Sequence, residues 1–136
     1  MKVYLIGVGM GNPETLTVGA LEAVKACPVL VGAPRLLEPW SESHDCVPLI
    51  AGADIAEYIS KAQEGPVGVL LSGDTGFYSG AKRLWALLGD HEVVTLPGIS
   101  SLSYFCAKLH TDWQDVKIVS AHGRSHNVVG EIQRSA

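Results

Sequence analysis

Short apolar runs alternate along this chain with segments whose apolar residues recur at helical spacing. The runs predict strands at 2–7, 28–32, 45–50, 66–71, 92–96 and 116–121. The helical patterns lie at 13–27, 53–63, 79–89 and 99–109, with a short helix or turn at 34–40. Connections of ten or more residues between successive strands favour a parallel sheet covered by helices on both faces. The sequence therefore predicts an α/β fold.

The first of these helices has a clear start signal. Asn12 is expected to be its N-cap and Pro13 its first helical residue. Its inward-facing residues would be Leu16, Ala20, Ala23 and Val24.

Composition excludes several classes of protein. The chain has 136 residues, a net charge of −4 and 47% hydrophobic residues, which fits one globular domain and disfavours general nucleic-acid binding. No apolar run is long enough to cross a bilayer. Cys27, Cys46 and Cys106 are too widely separated for a disulfide framework or a zinc site, so we expect a cytoplasmic protein.

Polar and glycine-rich interruptions come after the predicted strands. They lie at 7–12, 72–78, 98–101 and 122–126, where the carboxyl ends of parallel strands would meet. Parallel sheets bind ligands at this edge, so these segments predict a binding site. Asp74, beside Gly73, is its acidic residue, although Asp next to Gly is also common in ordinary turns.

The first interruption, "GVGMGN", invites comparison with dinucleotide-binding loops. Its glycines fall at positions 7, 9 and 11, so the third comes one residue early. The second strand ends in Gly32 and Ala33 instead of the acidic residue that would hold a ribose hydroxyl. NAD or FAD binding is therefore disfavoured, and a tight turn or another ligand remains open.

Four motifs in order resemble the tetrapyrrole (corrin/porphyrin) methylase family. They are "VYLIGVGMGNPETLTVGALEAVKACPVLVGAPR", "LLSGDTGFYSG", "LPGISSLSYFCAKL" and "TDWQDVKIVSAHGR". The last is similar to the precorrin-6Y C5,15-methyltransferase branch of cobalamin biosynthesis. The resemblance implies a two-domain fold with S-adenosylmethionine between the domains, a homodimer, and methyl transfer to C5 of precorrin-6Y.

By this resemblance, residues 1–112 form the N-terminal α/β domain, and 113–136 form a linker and the start of a second domain that is largely missing. A chain of this extent is expected not to complete the reaction alone. The residues implied to bind the cofactor are Met10, Gly73, Asp74, Phe77, Ser100 and Ser101. Asp74 would attract the ammonium or sulfonium, and the serines at the start of a helix would receive the carboxylate.

A tetrapyrrole substrate carries several carboxylates, and three residues are candidates for contacting it. They are Arg35, Tyr78 and Arg124, because Arg binds carboxylates in a bidentate manner. Each could instead be an ordinary surface or capping residue. His122 and His126 have the spacing of metal ligands on a helix but lack a third partner, so no metal is expected. No nucleophile motif is present, and the catalytic residues are unassigned.

Two alternatives stay open. The chain could belong to another member of the same family, such as a uroporphyrinogen methyltransferase or diphthine synthase. It could also be a non-catalytic α/β domain that binds a ligand.

Overall fold

A computed structural model describes residues 1–118 of the chain. The chain divides into two compact units, Met1–Ser101 and a second that begins at Leu102. The first unit contains the sheet and its core. No helix within residues 1–118 is both long and apolar enough to pass through a membrane.

In the part of the chain that the structure describes, the sheet has five strands in the order β3-β2-β4-β1-β5, and every pairing between them is parallel. The strands are β1 (Lys2–Gly7), β2 (Val29–Gly32), β3 (Asp45–Pro48), β4 (Val67–Leu71) and β5 (Glu92–Leu96). The predicted α/β fold with a parallel sheet is confirmed.

Within residues 1–118, five α-helices follow the strands in turn. They are α1 (Val18–Ala26), α2 (Pro34–Leu37), α3 (Gly52–Lys61), α4 (Ala81–Leu87) and α5 (Ser101–Lys108). Two short 3-10 segments, Pro13–Thr15 and Glu38–Trp40, precede α1 and follow α2.

The three inner strands are apolar on both faces. In β1, Val3 and Leu5 point to one face and Ile6 to the other, because side chains alternate along a strand. Helices α3 and α4 cover the first face, and their buried residues include Ile55, Ile59 and Leu84. Helices α1 and α2 cover the second face with Ala20, Val24, Leu36 and Leu37. The two-sided burial explains why these strands are continuous apolar runs.

The predicted helix over residues 13–27 is wrong in its first part. Pro13–Thr15 form a 3-10 turn, the backbone of Leu16 is extended, and α1 begins only at Val18. Thr17 is the N-cap of α1, and its hydroxyl accepts a hydrogen bond from the Ala20 amide at 3.0 Å. Asn12 makes no capping bond, because its side chain contacts Glu14 and Thr15 instead.

The predicted strand at 116–121 is not found where the structure describes it. Residues 116–118 are not in a strand, and residues 119–121 lie outside the described part of the chain.

Candidate functional site

Strands β1 and β4 lie side by side at the centre of the sheet, yet the helices that follow them pack on opposite faces. Helix α1 covers one face and α4 the other, so the loops after the two strands leave in opposite directions. In open parallel sheets, such a switch point is where the loops form a crevice that binds ligands. The sequence interruptions at 7–12 and 72–78 are these two loops.

The two loops are joined by backbone hydrogen bonds. The Gly9 amide donates to the Gly73 carbonyl at 3.2 Å, and the Gly73 amide donates to the Gly9 carbonyl at 2.8 Å. Both residues have a left-handed backbone, with φ of +60° and +68°, which glycine adopts without a steric cost. Met10 comes directly after this bridge, so the bridge fixes its position beside the second loop.

Thr15 organises the first loop from inside. Its side chain is buried, and its hydroxyl accepts a hydrogen bond from the Met10 amide at 3.0 Å. The same hydroxyl lies 3.0 Å from the Asn12 carbonyl, to which it donates. A backbone donor and a backbone acceptor of the loop are therefore satisfied by one side chain.

A third loop, after β5, is held by the loop after β4. The Gly98 amide donates to Asp74 Oδ1 at 3.1 Å. The buried Thr75 hydroxyl donates to the Leu96 carbonyl at 3.3 Å. Because β1 lies between β4 and β5, these two bonds span the end of β1.

The end of β1 has no side chain, which lets the other two loops meet above it. A Cβ atom on Gly7 would lie 2.8 Å from the Gly98 nitrogen and 2.9 Å from the Gly73 carbonyl oxygen. A Cβ atom on Gly98 would collide with the same Gly73 oxygen. The three loops therefore converge through direct backbone contact.

Ser100 and Ser101, at the start of α5, lie against the loop after β4. A Cβ atom on Gly73 would be 3.8 Å from Ser100 Cα and 3.9 Å from the Ser101 nitrogen. Gly73, Asp74 and this serine pair thus lie close together. Helix N-termini attract anions because their first amides have no partner within the helix.

Phe77 and Tyr78 form an aromatic pair in the loop after β4. Their rings meet edge to face with 5.2 Å between centroids. Tyr78 has a φ of +48°, which is uncommon for a bulky residue, and its side chain is 40% exposed. Tyr78 thus presents a partly exposed ring beside Phe77.

Arg35 lies next to the first loop. It comes after β2, it is exposed, and its Nη1 atom is 3.8 Å from the position that a Cβ atom on Gly11 would take. Among the predicted residues it is the cation placed near this edge. Arg124, together with His122 and His126, lies outside the residues that the structure describes.

Sequence reasoning missed Thr15 and Thr75. Both are buried polar residues that fasten loops through their hydroxyls. Their nearest signal in the sequence was a threonine in or just after each glycine-rich interruption, at a place where a ligand loop needs internal support.

This arrangement offers a small ligand charges of both signs. Asp74 carries a negative charge, Arg35 a positive one, and the start of α5 supplies a partial positive charge from its backbone amides. After the first loop, the Asn12 side chain donates to Glu14 at 2.7 Å and thereby lowers the pKa of that carboxyl. A ligand with both an ammonium and a carboxylate fits these groups.

A separate groove of about 510 Å³ lies between the edge strand β3 and α3. Val47, Leu49 and Tyr58 form its apolar part. Its rim carries the Lys61–Glu57 ion pair at 2.8 Å, whose hydrogen bond lowers the pKa of Glu57 and raises the pKa of Lys61. The groove contains none of the predicted site residues, so the loop convergence defines the candidate site.

The sequence matches a known protein family. A sequence model described as Tetrapyrrole (Corrin/Porphyrin) Methylases matches residues 2–135. The cobalt-precorrin-7 C(5)-methyltransferase of Salmonella typhimurium is 33% identical over 123 residues, which are 88% of this chain and 61% of that protein. The chain thus spans about three fifths of that relative's length.

Solved structures of similar fold include two with related chemistry in their names. The cobalamin biosynthesis precorrin-6Y methylase of Archaeoglobus fulgidus has a TM-score of 0.73 and 24% identity, covering 87% of this chain and 62% of that one. The uroporphyrin-III C-methyltransferase of Thermus thermophilus, solved in complex with S-adenosyl homocysteine, has a TM-score of 0.62 and 26% identity. That match covers 75% of this chain and 46% of the other.

Proposed function

The chain belongs to the tetrapyrrole methylase family, and from this premise we propose that it binds S-adenosylmethionine as part of a C-methyltransferase of cobalamin biosynthesis. The substrate is a precorrin, methylated at C5 at the precorrin-6Y or precorrin-7 stage. The names of the Salmonella and Archaeoglobus relatives support this assignment over a uroporphyrinogen methyltransferase or diphthine synthase.

The observation that carries the proposal is the convergence of three loops at the switch point of the sheet. The Gly9–Gly73 bridge and the Asp74–Gly98 bond hold together the three loops that carry the predicted cofactor residues, which supports the proposal. We assign Met10, Gly73 and Phe77 to the wall of the cofactor site, and Ser100 and Ser101 to its carboxylate. Asp74 belongs to the same site.

When bound, S-adenosylmethionine supplies an electrophilic methyl group. The task of the chain is then to hold the donor so that the ring carbon lies in line with the sulfur–methyl bond. Positioning of this kind can supply up to about 7–11 kcal/mol of the barrier reduction. Arg35, Tyr78 and Arg124 are our candidates for contacting the tetrapyrrole, with the arginines pairing with its carboxylates.

Binding of S-adenosylhomocysteine, measured by isothermal titration calorimetry, tests the proposal. We expect the unmodified chain to bind it. Ser101→Asp places a carboxylate at the first turn of α5, where it favours the helix but repels the ligand's carboxylate. This change should weaken binding by about tenfold or more.

Ala53→Asp is the matched control, because Ala53 lies in the first turn of α3 and comes after the edge strand β3. It adds the same charge at a helix start two strands away from β4, and binding should stay unchanged. If the unmodified chain does not bind S-adenosylhomocysteine, the methyl-transfer assignment fails and a domain for another ligand is favoured. Equal weakening by both variants would remove the serine pair from the site.

We also propose a cytoplasmic homodimer, with residues 1–112 as the cofactor-binding domain. Cys27 and Cys106 are buried free thiols, which suits a reducing compartment. Burial raises the pKa of Cys27 to about 11, so its reactive thiolate form is rare at neutral pH. Sedimentation of the purified chain at several concentrations tests the dimer, and a constant monomer mass would contradict it.

A further inference from the structure

Asp74 uses one of its carboxylate oxygens within the protein. Oδ1 accepts the Gly98 amide at 3.1 Å, across 24 residues of sequence. Pro97 has no amide hydrogen, so Gly98 provides the first backbone donor after β5 ends at Leu96. This donor is partly buried, and such a donor without an acceptor is costly. Asp74 supplies that acceptor.

The same loop is fastened a second time by the neighbouring residue. The Thr75 hydroxyl donates to the Leu96 carbonyl at 3.3 Å. The Leu96 carbonyl and the Gly98 amide, on either side of Pro97, are therefore both hydrogen-bonded to the loop after β4. The next residues along the chain are Ile99 and the serine pair at the start of α5.

The close contacts of Gly98 show that the loop after β5 has little room to move. Gly98 lies against the backbone of both Gly7 and Gly73, with no side chain between them. The Asp74 bond is the side-chain contact that holds Gly98 in this position. Movement of Gly98 would move the amides of the serine pair with it.

We infer that Asp74 is a positioning residue for the cofactor site: it holds Gly98, and through it the start of α5, by accepting a hydrogen bond. This inference rests on the proposed function and deepens it. It differs from an attraction between the Asp74 charge and the ligand's ammonium, because an uncharged acceptor of the same shape would serve equally well.

The comparison of Asp74→Asn with Asp74→Ala separates the two roles. The Asn carbonyl can accept the Gly98 amide without carrying charge, whereas Ala cannot accept it. Titration of the whole chain with S-adenosylhomocysteine should give an affinity within about threefold of the unmodified chain for Asp74→Asn. For Asp74→Ala we expect a loss of about tenfold, the equivalent of one ordinary hydrogen bond.

Thr75→Val tests the attachment between the loops after β4 and β5 without changing Asp74. Valine has nearly the shape of threonine but does not donate to Leu96. We expect a smaller loss of affinity, about threefold to tenfold, together with faster hydrogen exchange of the Gly98 amide. If Asp74→Ala does not fold, Thr75→Val still tests whether the attachment between the two loops supports binding.

The outcomes separate the inference from the proposed function. Equal losses in Asp74→Asn and Asp74→Ala would overturn the inference, because they would assign the effect to charge. Unchanged affinity in both Asp74→Ala and Thr75→Val would overturn it as well. If the unmodified chain binds no S-adenosylhomocysteine, the proposed function fails and the inference falls with it.

Discussion

In the interior of the molecule, packed side chains fill the space between the sheet and its helices. At the carboxyl edge of the sheet, by contrast, the backbone of one loop rests directly on the backbone of the next. Val3, Leu5 and Val69 are fully buried between the central strands and the helices α3 and α4. At the edge, Gly7, Gly73 and Gly98 meet with no side chain between them.

The two regions should therefore be sensitive to opposite changes. The interior depends on the volume of its side chains, so it is damaged when atoms are removed. The edge requires residues without a side chain where its backbones meet, so it is damaged when one methyl group is added. A ligand approaching the edge also meets amides and carbonyls without intervening side chains.

Removing atoms from the interior should cost the most stability. Leu5 is completely buried, and Leu5→Ala removes its contacts and leaves a cavity. We expect a loss of about 2–5 kcal/mol in the free energy of unfolding, measured by urea denaturation. Leu87→Ala is the control, because Leu87 is 42% exposed on α4. Similar losses from the two variants would contradict the description of this core.

Gly98→Ala tests the edge and should cost somewhat less. The added methyl group collides with the Gly73 carbonyl, a backbone atom that cannot turn aside as a side chain could. We expect a loss of about 1–3 kcal/mol in the free energy of unfolding. Binding of S-adenosylhomocysteine should weaken beyond what the lost stability explains, since the start of α5 is displaced.

The control for Gly98→Ala is Gly19→Ala. Gly19 is an exposed residue of α1, and a Cβ atom there would meet nothing within 4 Å. The same chemical change should then leave stability unchanged or raise it by up to about 1 kcal/mol, because alanine favours the helix. If Gly98→Ala behaves like Gly19→Ala, the close approach of the three loops is wrong.

The contrast between interior and edge also explains what could be predicted from the sequence. The apolar runs located all five strands of the described residues. In the three inner strands, burial on both faces leaves a continuous apolar pattern. The start of α1 was misplaced because Asn12–Pro13 and Thr17 are both good helix starts. In the structure Thr17 caps α1, whereas the Thr15 hydroxyl bonds to the backbone of the preceding loop.

The candidate site was predictable in its location but not in its connections. Parallel strands bring their following loops to one edge, which is why the interruptions at 7–12, 72–78 and 98–101 come together. The bond between Asp74 and Gly98 depends on how far each loop extends beyond its strand, and no local pattern encodes that distance. The roles of the site residues toward a ligand stay predictions.

A smaller effect is expected at a position where the backbone conformation favours glycine but the residue is a histidine. His110 has a φ of +54° just after α5. Its amide donates to Ala107, and the Thr111 amide donates to the Cys106 carbonyl at 3.0 Å, which together form a Schellman motif. Glycine is the usual residue at this position because it has no Cβ atom to strain the left-handed backbone.

His110→Gly should therefore stabilise the end of α5 by about 0.5–1 kcal/mol, which slows hydrogen exchange of the Thr111 amide by about twofold to fivefold. His110→Ala is the control, because it removes the imidazole but keeps the strained Cβ atom, and it should not slow exchange. Equal slowing by both variants would assign the effect to the lost side chain. Faster exchange in His110→Gly would contradict the prediction that the left-handed backbone strains the residue at this position.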